Sequence, residues 1–376
     1  MSQDIRDFVT PSCELLAFGE PTHQGAAFRR LRNELFAQLA DHGFRSIALE
    51  TDRVAAYLVD DYVREGIGSL DKVMSEGFSH NFGELEDNRL LVAWMREYNE
   101  GRPAEERLAF HGFDAATENF SAPSPLGYLE YARDYLGLDV DFAGLAGDDE
   151  QWSRTEAIMD PAMSIGDTVP ARELRVLADD MLTTLYWRGP ELIETTSRAE
   201  WFRAEAHLTT GLDLLRYHKQ AAAKLEVNAR VSRLMATRDA FMAQNLFAIR
   251  RAETGRGTTF VFANNAHLQR NLGRWALGGR DFTWAPAGSI VSSLVGGQYV
   301  VVLGSLGRNA DIGLGEPEAD TFEGALQRDI KTWALVRPEV SGRKRTDIEA
   351  RQGYFPLEQE TIDGADALLH INDGSA

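Results

Sequence analysis

One short segment places an acid and an imidazole three residues apart between small residues: Gly19-Glu20-Pro21-Thr22-His23-Gln24-Gly25. Histidine titrates closest to neutral pH of all side chains, so His23 is suited to taking a proton from water or from a substrate. A carboxylate beside it would fix the ring's tautomer while favouring its charged form, and Glu20 and Glu50 are the candidates for that partner. Thr22 is placed to cap the helix that follows, whose positive end acts in the opposite sense and keeps His23 neutral. Gly19 and Gly25 let the backbone turn tightly here. Arg32, nine residues after His23, falls on the Phe28, Leu35 and Phe36 side of a helical pattern. It is expected to point inward and pair with a carboxylate or hold an oxyanion, while Arg29 and Arg30 are expected in solvent.

These residues gain meaning from the elements that carry them. Apolar runs end abruptly at polar residues: Cys13 to Phe18 before Gly19-Glu20, Arg45 to Leu49 before Glu50, and Leu108 to Phe113 before Asp114. Two more do so later, Thr258 to Ala263 before Asn264-Asn265, and Tyr299 to Leu303 before Gly304. Such runs suit strands buried on both faces, as in a parallel sheet. The helical spacing of Phe28, Leu31, Leu35, Phe36 and Leu39 between the first two runs makes a strand, helix, strand unit. The expected fold is therefore α/β, a mainly parallel sheet flanked by helices. Residues 125–255 lack strand patterns and read as a large helical insertion, with the α/β core in two parts, 1–124 and 256–376.

Ligands bind outside the carboxyl ends of the strands in such sheets. Those ends bring Glu20, Glu50, Asp114 and Asn264-Asn265-Ala266-His267 toward one crevice, and His23, Glu50, Glu20, Arg32 and His267 are the candidate catalytic set. Asn264, Asp114 and His111 are candidate substrate contacts. Each acid taken alone is as well explained as a helix cap. His42 and His218 read as surface residues at helix ends, and His80, His207 and His370 have no assigned place.

Other chemistries fail on spacing. The chain has no G-x-S-x-G elbow, no phosphate-binding G-x-x-x-x-G-K-[ST] loop, no G-x-G-x-x-G after a strand and no H-E-x-x-H. The single cysteine, Cys13, rules out an intrachain disulfide and any zinc site built on paired thiolates. Glu20, His23, Glu50 and His267 could form a metal's N/O ligand set, but nothing in their spacing requires one, so no metal or cofactor is expected. The 376 residues carry a net charge of −19, which disfavours nucleic acid and anionic membrane surfaces and favours a neutral or cationic small molecule. The chain has neither a signal-peptide layout nor a long apolar run, so a cytoplasmic location is expected.

The order of these motifs resembles the erythromycin esterase family. The resemblance rests on Gly19-Glu20-x-x-His23, on Arg32, and on Gly43-Phe44 through Glu50. It continues through Trp94 to Asn99, Gly112-Phe113-Asp114, Arg238-Asp239 to Met242 and Asn245, Gly288, Gly296, Tyr299, and Ala365 to Leu369. It implies a hydrolase without a covalent nucleophile or obligatory metal, in which His23 activates water against a lactone or ester carbonyl. Glu20, Arg32 and Glu50 would order and polarise the site. One position departs: esterases of the family carry H-N-x-H where this chain has Asn264-Asn265-Ala266-His267, and an asparagine cannot shuttle a proton. The expected activity is ester or lactone hydrolysis, with His267 and Arg32 holding the oxyanion. The alternatives are a lyase or cyclase step on a natural-product intermediate using the same base, and binding of a small molecule without turnover.

Overall fold

The computed structural model describes residues 1–375. Nine strands form: β1 (Leu15–Glu20), β2 (Ser46–Asp52), β3 (Ala109–Asp114), β4 (Thr259–Asn264), β5 (Gly273–Leu277), β6 (Arg280–Trp284), β7 (Tyr299–Arg308), β8 (Trp333–Val336) and β9 (Ala367–Asp373). Seven of them make one sheet in the order β3-β2-β4-β1-β7-β9-β8, and β5 with β6 makes a separate hairpin. All pairings in the large sheet are parallel except β8 with β9. The fold class is α/β, as the apolar runs imply. β8, β9 and the hairpin are not evident in those runs, because short edge strands and two-stranded ribbons carry little continuous apolar signal.

Chain order reverses about β1: β4, β2 and β3 lie to one side, and β7, β9 and β8 to the other. That reversal is the switch point at which an open α/β sheet forms its crevice. Glu20 and Asn264 end β1 and β4 at the same register, so both open onto it.

Each face of the sheet is covered. Helices Ala26–Ala40, Ala56–Glu65 and Glu86–Asn99 contribute Leu31, Leu35, Val59, Leu91 and Met95 to a core with Phe18, Phe110 and Phe260. On the other face, Met242, Ala243, Leu246 and Ile249 pack with Leu15, Ala17, Ala48 and Val261. A third core, built from Leu129, Trp152, Leu174, Leu208 and neighbours, belongs to the helical region alone. The long helix Val227–Ala252, placed by the sequence within the insertion, therefore has its second half in the layer against the sheet. The helical region is tied to the α/β core through a helix that serves both. Among the described residues no helix is long and apolar enough to cross a membrane.

Gly19 serves close approach rather than a turn. A Cβ there would lie 2.2 Å from Asn265 Oδ1. That amide donates from Nδ2 to the Gly304 carbonyl at 2.8 Å and accepts the Gly304 N–H at 3.0 Å, joining the turn after β4 to β7. Gly19→Ala is expected to destabilise the fold by roughly 1–3 kcal/mol through this overpacking; chemical denaturation against the parent protein measures it.

Candidate active site

The sequence folds so that Glu50 becomes the hub. β2 shifts register against β3 between Leu49 and Asp52, an irregularity that re-aims the side chains it spans. Glu50 Oε2 accepts the backbone N–H of Asn264 at 2.9 Å, linking the ends of β2 and β4. Its other oxygen, Oε1, faces three cationic groups: His23 Nε2 at 3.7 Å, His267 Nε2 at 3.4 Å and Arg238 Nη2 at 3.3 Å.

Each of the two imidazoles is held from behind by its own carboxylate. Because a carboxylate can only accept, the His23 Nδ1–H donates to Glu20 Oε1 at 2.8 Å, and the His267 Nδ1–H donates to Asp239 Oδ1 at 2.9 Å. The same Asp239 oxygen accepts the Ala287 N–H at 2.8 Å. Both Nε2 atoms thus converge on one carboxylate oxygen, but their exposure differs. The His23 side chain is 35% exposed and that of His267 is 12% exposed, so His23 is the ring that meets the solvent side of the crevice.

Arg238 extends the network. Its Nε and Nη2 donate to the two oxygens of Asp114 at 2.9 and 2.5 Å, and Nη1 lies 3.4 Å from His267 Nε2. Seven residues along the same helix face, Asn245 donates to the carbonyls of Phe113 and Asp114, so this helix holds the end of β3 twice. Asp114 also faces His80 Nε2 at 2.9 Å, and His80 Nδ1 faces Glu118 at 2.9 Å. His80 and Asn81 both adopt left-handed backbone, with φ 57° and 59°. Such conformations cost roughly 1–3 kcal/mol each in non-glycine residues and persist only where the surroundings impose them. Here Ser79 is held by Thr51 and by the N–H of Asp52, and Phe82 lies between the rings of His23 and His80, 5.2 and 5.6 Å from them.

The electrostatics follow from this packing. For His23, burial disfavours the charged ring, but the charge of Glu50 and the hydrogen bond to Glu20 outweigh it and raise the pKa above the usual histidine value. His267 is raised in the same way, burial being overcome by Asp239 and Glu50. Burial pushes Glu50 upward, yet His267, His23 and Arg238 bring it below the usual carboxylate range. For His80, burial is overcome by Asp114 and Glu118, and its pKa reaches about 9. The expectation of a neutral His23 at the head of a helix is therefore corrected. The helix is capped by Gly25, with no side-chain cap, and the Thr22 hydroxyl is turned to the Gln352 carbonyl at 2.9 Å.

The structure brings His23, Glu20, Glu50 and His267 together and moves other candidates elsewhere. Arg32 points inward but is fully buried, donating to Asn33, Asn88 and the Asp87 carbonyl, and burial lowers its pKa to about 9. The guanidinium at the open side of the site is Arg238. Asp114 has no exposed surface and holds Arg238 and His80. Asn264 spends its side-chain oxygen capping the next turn, on the Ala266 N–H at 2.9 Å. His111 lies three residues before the end of β3, bonded to Glu253 at 2.7 Å, away from the crevice. Arg29 is buried beside Asp87 rather than solvated, and His218 is buried against Trp152. The residues with no assigned role at the sequence level are His80, Arg238, Asp239 and Glu118. A signal for one existed: Arg238 and Asn245 occupy the apolar stripe of Val231, Leu234, Met235, Met242 and Ile249. Among the described residues no three His, Cys, Asp or Glu side chains are arranged to hold a metal ion.

The family model described as Erythromycin esterase matches residues 39–368, which include Glu50, Asp114, Arg238 and His267 but not Glu20, His23 or Arg32. No curated protein matches. Among solved structures the chain is similar to a Bacillus cereus protein, at 15% identity over 99% of this chain and 91% of that one, with TM-score 0.69. It is similar to a succinoglycan biosynthesis protein at 14% identity over 99% and 90%, with TM-score 0.70. A histidine-to-asparagine mutant of the erythromycin esterase EreC in its open conformation matches at 16% identity over 96% and 91%, with TM-score 0.66. At these identities the likeness is one of fold.

The raised pKa has a defined sign: His23 stays charged through the pH at which a free imidazole would lose its proton, and becomes a base only above it. An NMR titration of the ring is expected to give a midpoint above 6.5, the ordinary value. Glu20→Gln is expected to move that midpoint down. A midpoint unmoved by the substitution would show that the 2.8 Å contact does not set the charge of the ring.

Proposed function

The chain belongs to the erythromycin esterase family, and from that premise we propose that it hydrolyses the ester or lactone bond of a neutral or cationic small molecule, with His23 as general base. Family membership supports an esterase-like hydrolase. The observation that carries the finer reading is the pair of carboxylate-held imidazoles whose Nε2 atoms converge on Glu50 Oε1.

In this reading Glu20 keeps the proton of neutral His23 on Nδ1, leaving Nε2 to accept. A water oxygen adds to the acyl carbon as Nε2 takes its proton, and the carbonyl becomes an oxyanion beside Arg238 and charged His267. Both of those groups are fixed before the substrate arrives, Arg238 by Asp114 and His267 by Asp239, so little reorganisation is needed when charge develops. Arg238 thus takes the role that the sequence suggests for Arg32. Collapse of the intermediate breaks the bond to the alkoxy oxygen, which leaves with a proton returned by His23 or given by His267. Glu50 holds the two rings at one charge centre and keeps the second one protonated.

General base catalysis contributes typically 10²–10⁴-fold, so His23→Ala is expected to lower kcat by about that factor while leaving the fold intact. The assay uses a panel of p-nitrophenyl esters, small lactones and erythromycin in ¹⁸O water, with product acids analysed by mass spectrometry. Label in the product acid is the expected result. Turnover without label would replace hydrolysis by elimination or cyclisation, and unchanged turnover in the variant would remove His23 from the chemistry.

A further inference from the structure

A cleft of about 370 Å³ opens where the helical region meets the α/β core, beside the turn that follows β2. Space of this size is common for sites that take a small molecule, which hold it by apolar contact and a few fixed polar groups. Its walls are Val54 of that turn, Ser124 and Tyr128 at the head of helix Leu126–Leu136, Asp149 and Ser153 of helix Asp149–Ser153, and His207 of helix Arg198–Ala221. None of these side chains takes part in the network around Glu50. His207 Nδ1 lies 2.8 Å from the Arg203 carbonyl, which can only accept, so Nδ1 carries the proton and Nε2 is an acceptor without a partner among the described residues. Burial pushes the pKa of this imidazole down to about 4, so the ring stays neutral. It is stacked on Tyr131 with centroids 3.7 Å apart, which fixes the direction of its free edge. The Ser153 hydroxyl donates to the Asp149 carbonyl at 3.1 Å and the Tyr128 hydroxyl donates to Asp52 at 3.4 Å, so both oxygens keep lone pairs, and the Asp149 carboxylate is a further acceptor. Donors accompany them. The Ser124 hydroxyl accepts the Leu126 N–H at 3.2 Å and has its own proton to give. The N–H groups of Gly127 and Tyr128, in the first turn of their helix, have no acceptor among the described residues. Among the described residues no lysine or arginine lines the cleft.

We propose that this cleft binds a neutral polyhydroxylated ring, a hexopyranose unit, through its hydroxyl groups and by packing its C–H face on the Tyr128 ring. An anion would meet the Asp149 carboxylate with no cation to answer it, and an ammonium group would meet the positive start of helix Leu126–Leu136. A hydroxyl group both donates and accepts, so a polyol uses the two halves of this lining together. The aromatic wall supplies the apolar contact that the carbon face of such a ring needs once it leaves water. The assignment stands on the cleft itself and not on the hydrolase reading, and its test requires no turnover.

Saturation-transfer NMR on the full chain, with methyl glucopyranoside, methyl galactopyranoside and methyl mannopyranoside as probes and cyclohexanol, benzylammonium and benzoate as controls, tests this. The expected result is saturable binding of at least one glycoside with a Kd on the order of 1 mM, usual for a ligand of that size, and at least about tenfold tighter than each control. The ¹⁵N resonance of unprotonated His207 Nε2 is expected to move along the same titration. His207→Phe, which keeps a flat ring and removes the acceptor, is expected to weaken that glycoside by about three- to tenfold, the worth of one hydrogen bond. Asp149→Ala, at an exposed position, is expected to weaken it likewise and serves if the first variant does not fold. Binding of none of the three glycosides would overturn the proposal, as would equal binding of cyclohexanol or unchanged affinity in the folded variants. Tighter binding of benzylammonium or of benzoate would overturn it in favour of an ionic ligand.

Discussion

A buried carboxylate costs several kcal/mol unless the fold supplies hydrogen bonds and opposite charge, and Glu50 is such a group at the mouth of the sheet. It meets that demand with a backbone N–H from the end of β4 and with three cationic side chains from three other places in the chain. The requirement runs both ways. The turn after β1, the turn after β4 and the helix Val227–Ala252 must all reach one oxygen, which sets their positions relative to one another. Stability and site geometry are the same interaction at this point.

From that centre, charge alternates outward. Glu20 and His23 precede Glu50, while His267 and Asp239 lie on one side of it, and Arg238, Asp114, His80 and Glu118 lie on the other. An alternating chain keeps each buried ion next to an opposite one and raises the affinity of every histidine in it for protons. It also separates the roles of two rings with similar surroundings. Exposure puts His23 on the solvent side of the crevice, whereas Asp239 and Glu50 favour the charged form of His267 against the opposing charge of Arg238. The left-handed pair His80-Asn81 shows what holding such a network costs the backbone, and why the loop is clamped by Thr51, Ser79 and Glu118.

The helical region gains a role from the same wiring. Its last helix packs Met242, Leu246 and Ile249 on the sheet while presenting Arg238 and Asp239 to the crevice. The helices Leu126–Leu136, Val169–Trp187 and Arg198–Ala221 share a separate core, so they add a body beside the site without supplying its charges. Division of the chain into a two-part α/β core and a helical insertion remains a useful proposal, with helix Val227–Ala252 as the element common to both.

The sequence by itself determined β1, β2, β3, β4 and β7, because a strand buried on both faces must be written as a continuous apolar run that stops where the sheet ends. It thereby placed Glu20, Asp114 and Asn264 at strand ends and Glu50 within two residues of one, and the 3.6-residue period placed Arg32 on an inward face. Local pattern records whether a side chain is buried but not what it is buried against. Arg32 and Arg238 both interrupt apolar stripes, and only tertiary packing sends the first to Asn88 and the Asp87 carbonyl and the second to Asp114 and Glu50. His80 sits in a loop with no period at all, and its place follows from the hold of Thr51 on Ser79 and from its own contacts with Asp114 and Glu118 farther along the chain. Charge pairing acts through space at 3 to 4 Å and leaves no spacing rule in sequence, so the partners of each histidine were decided when the strands and helices met.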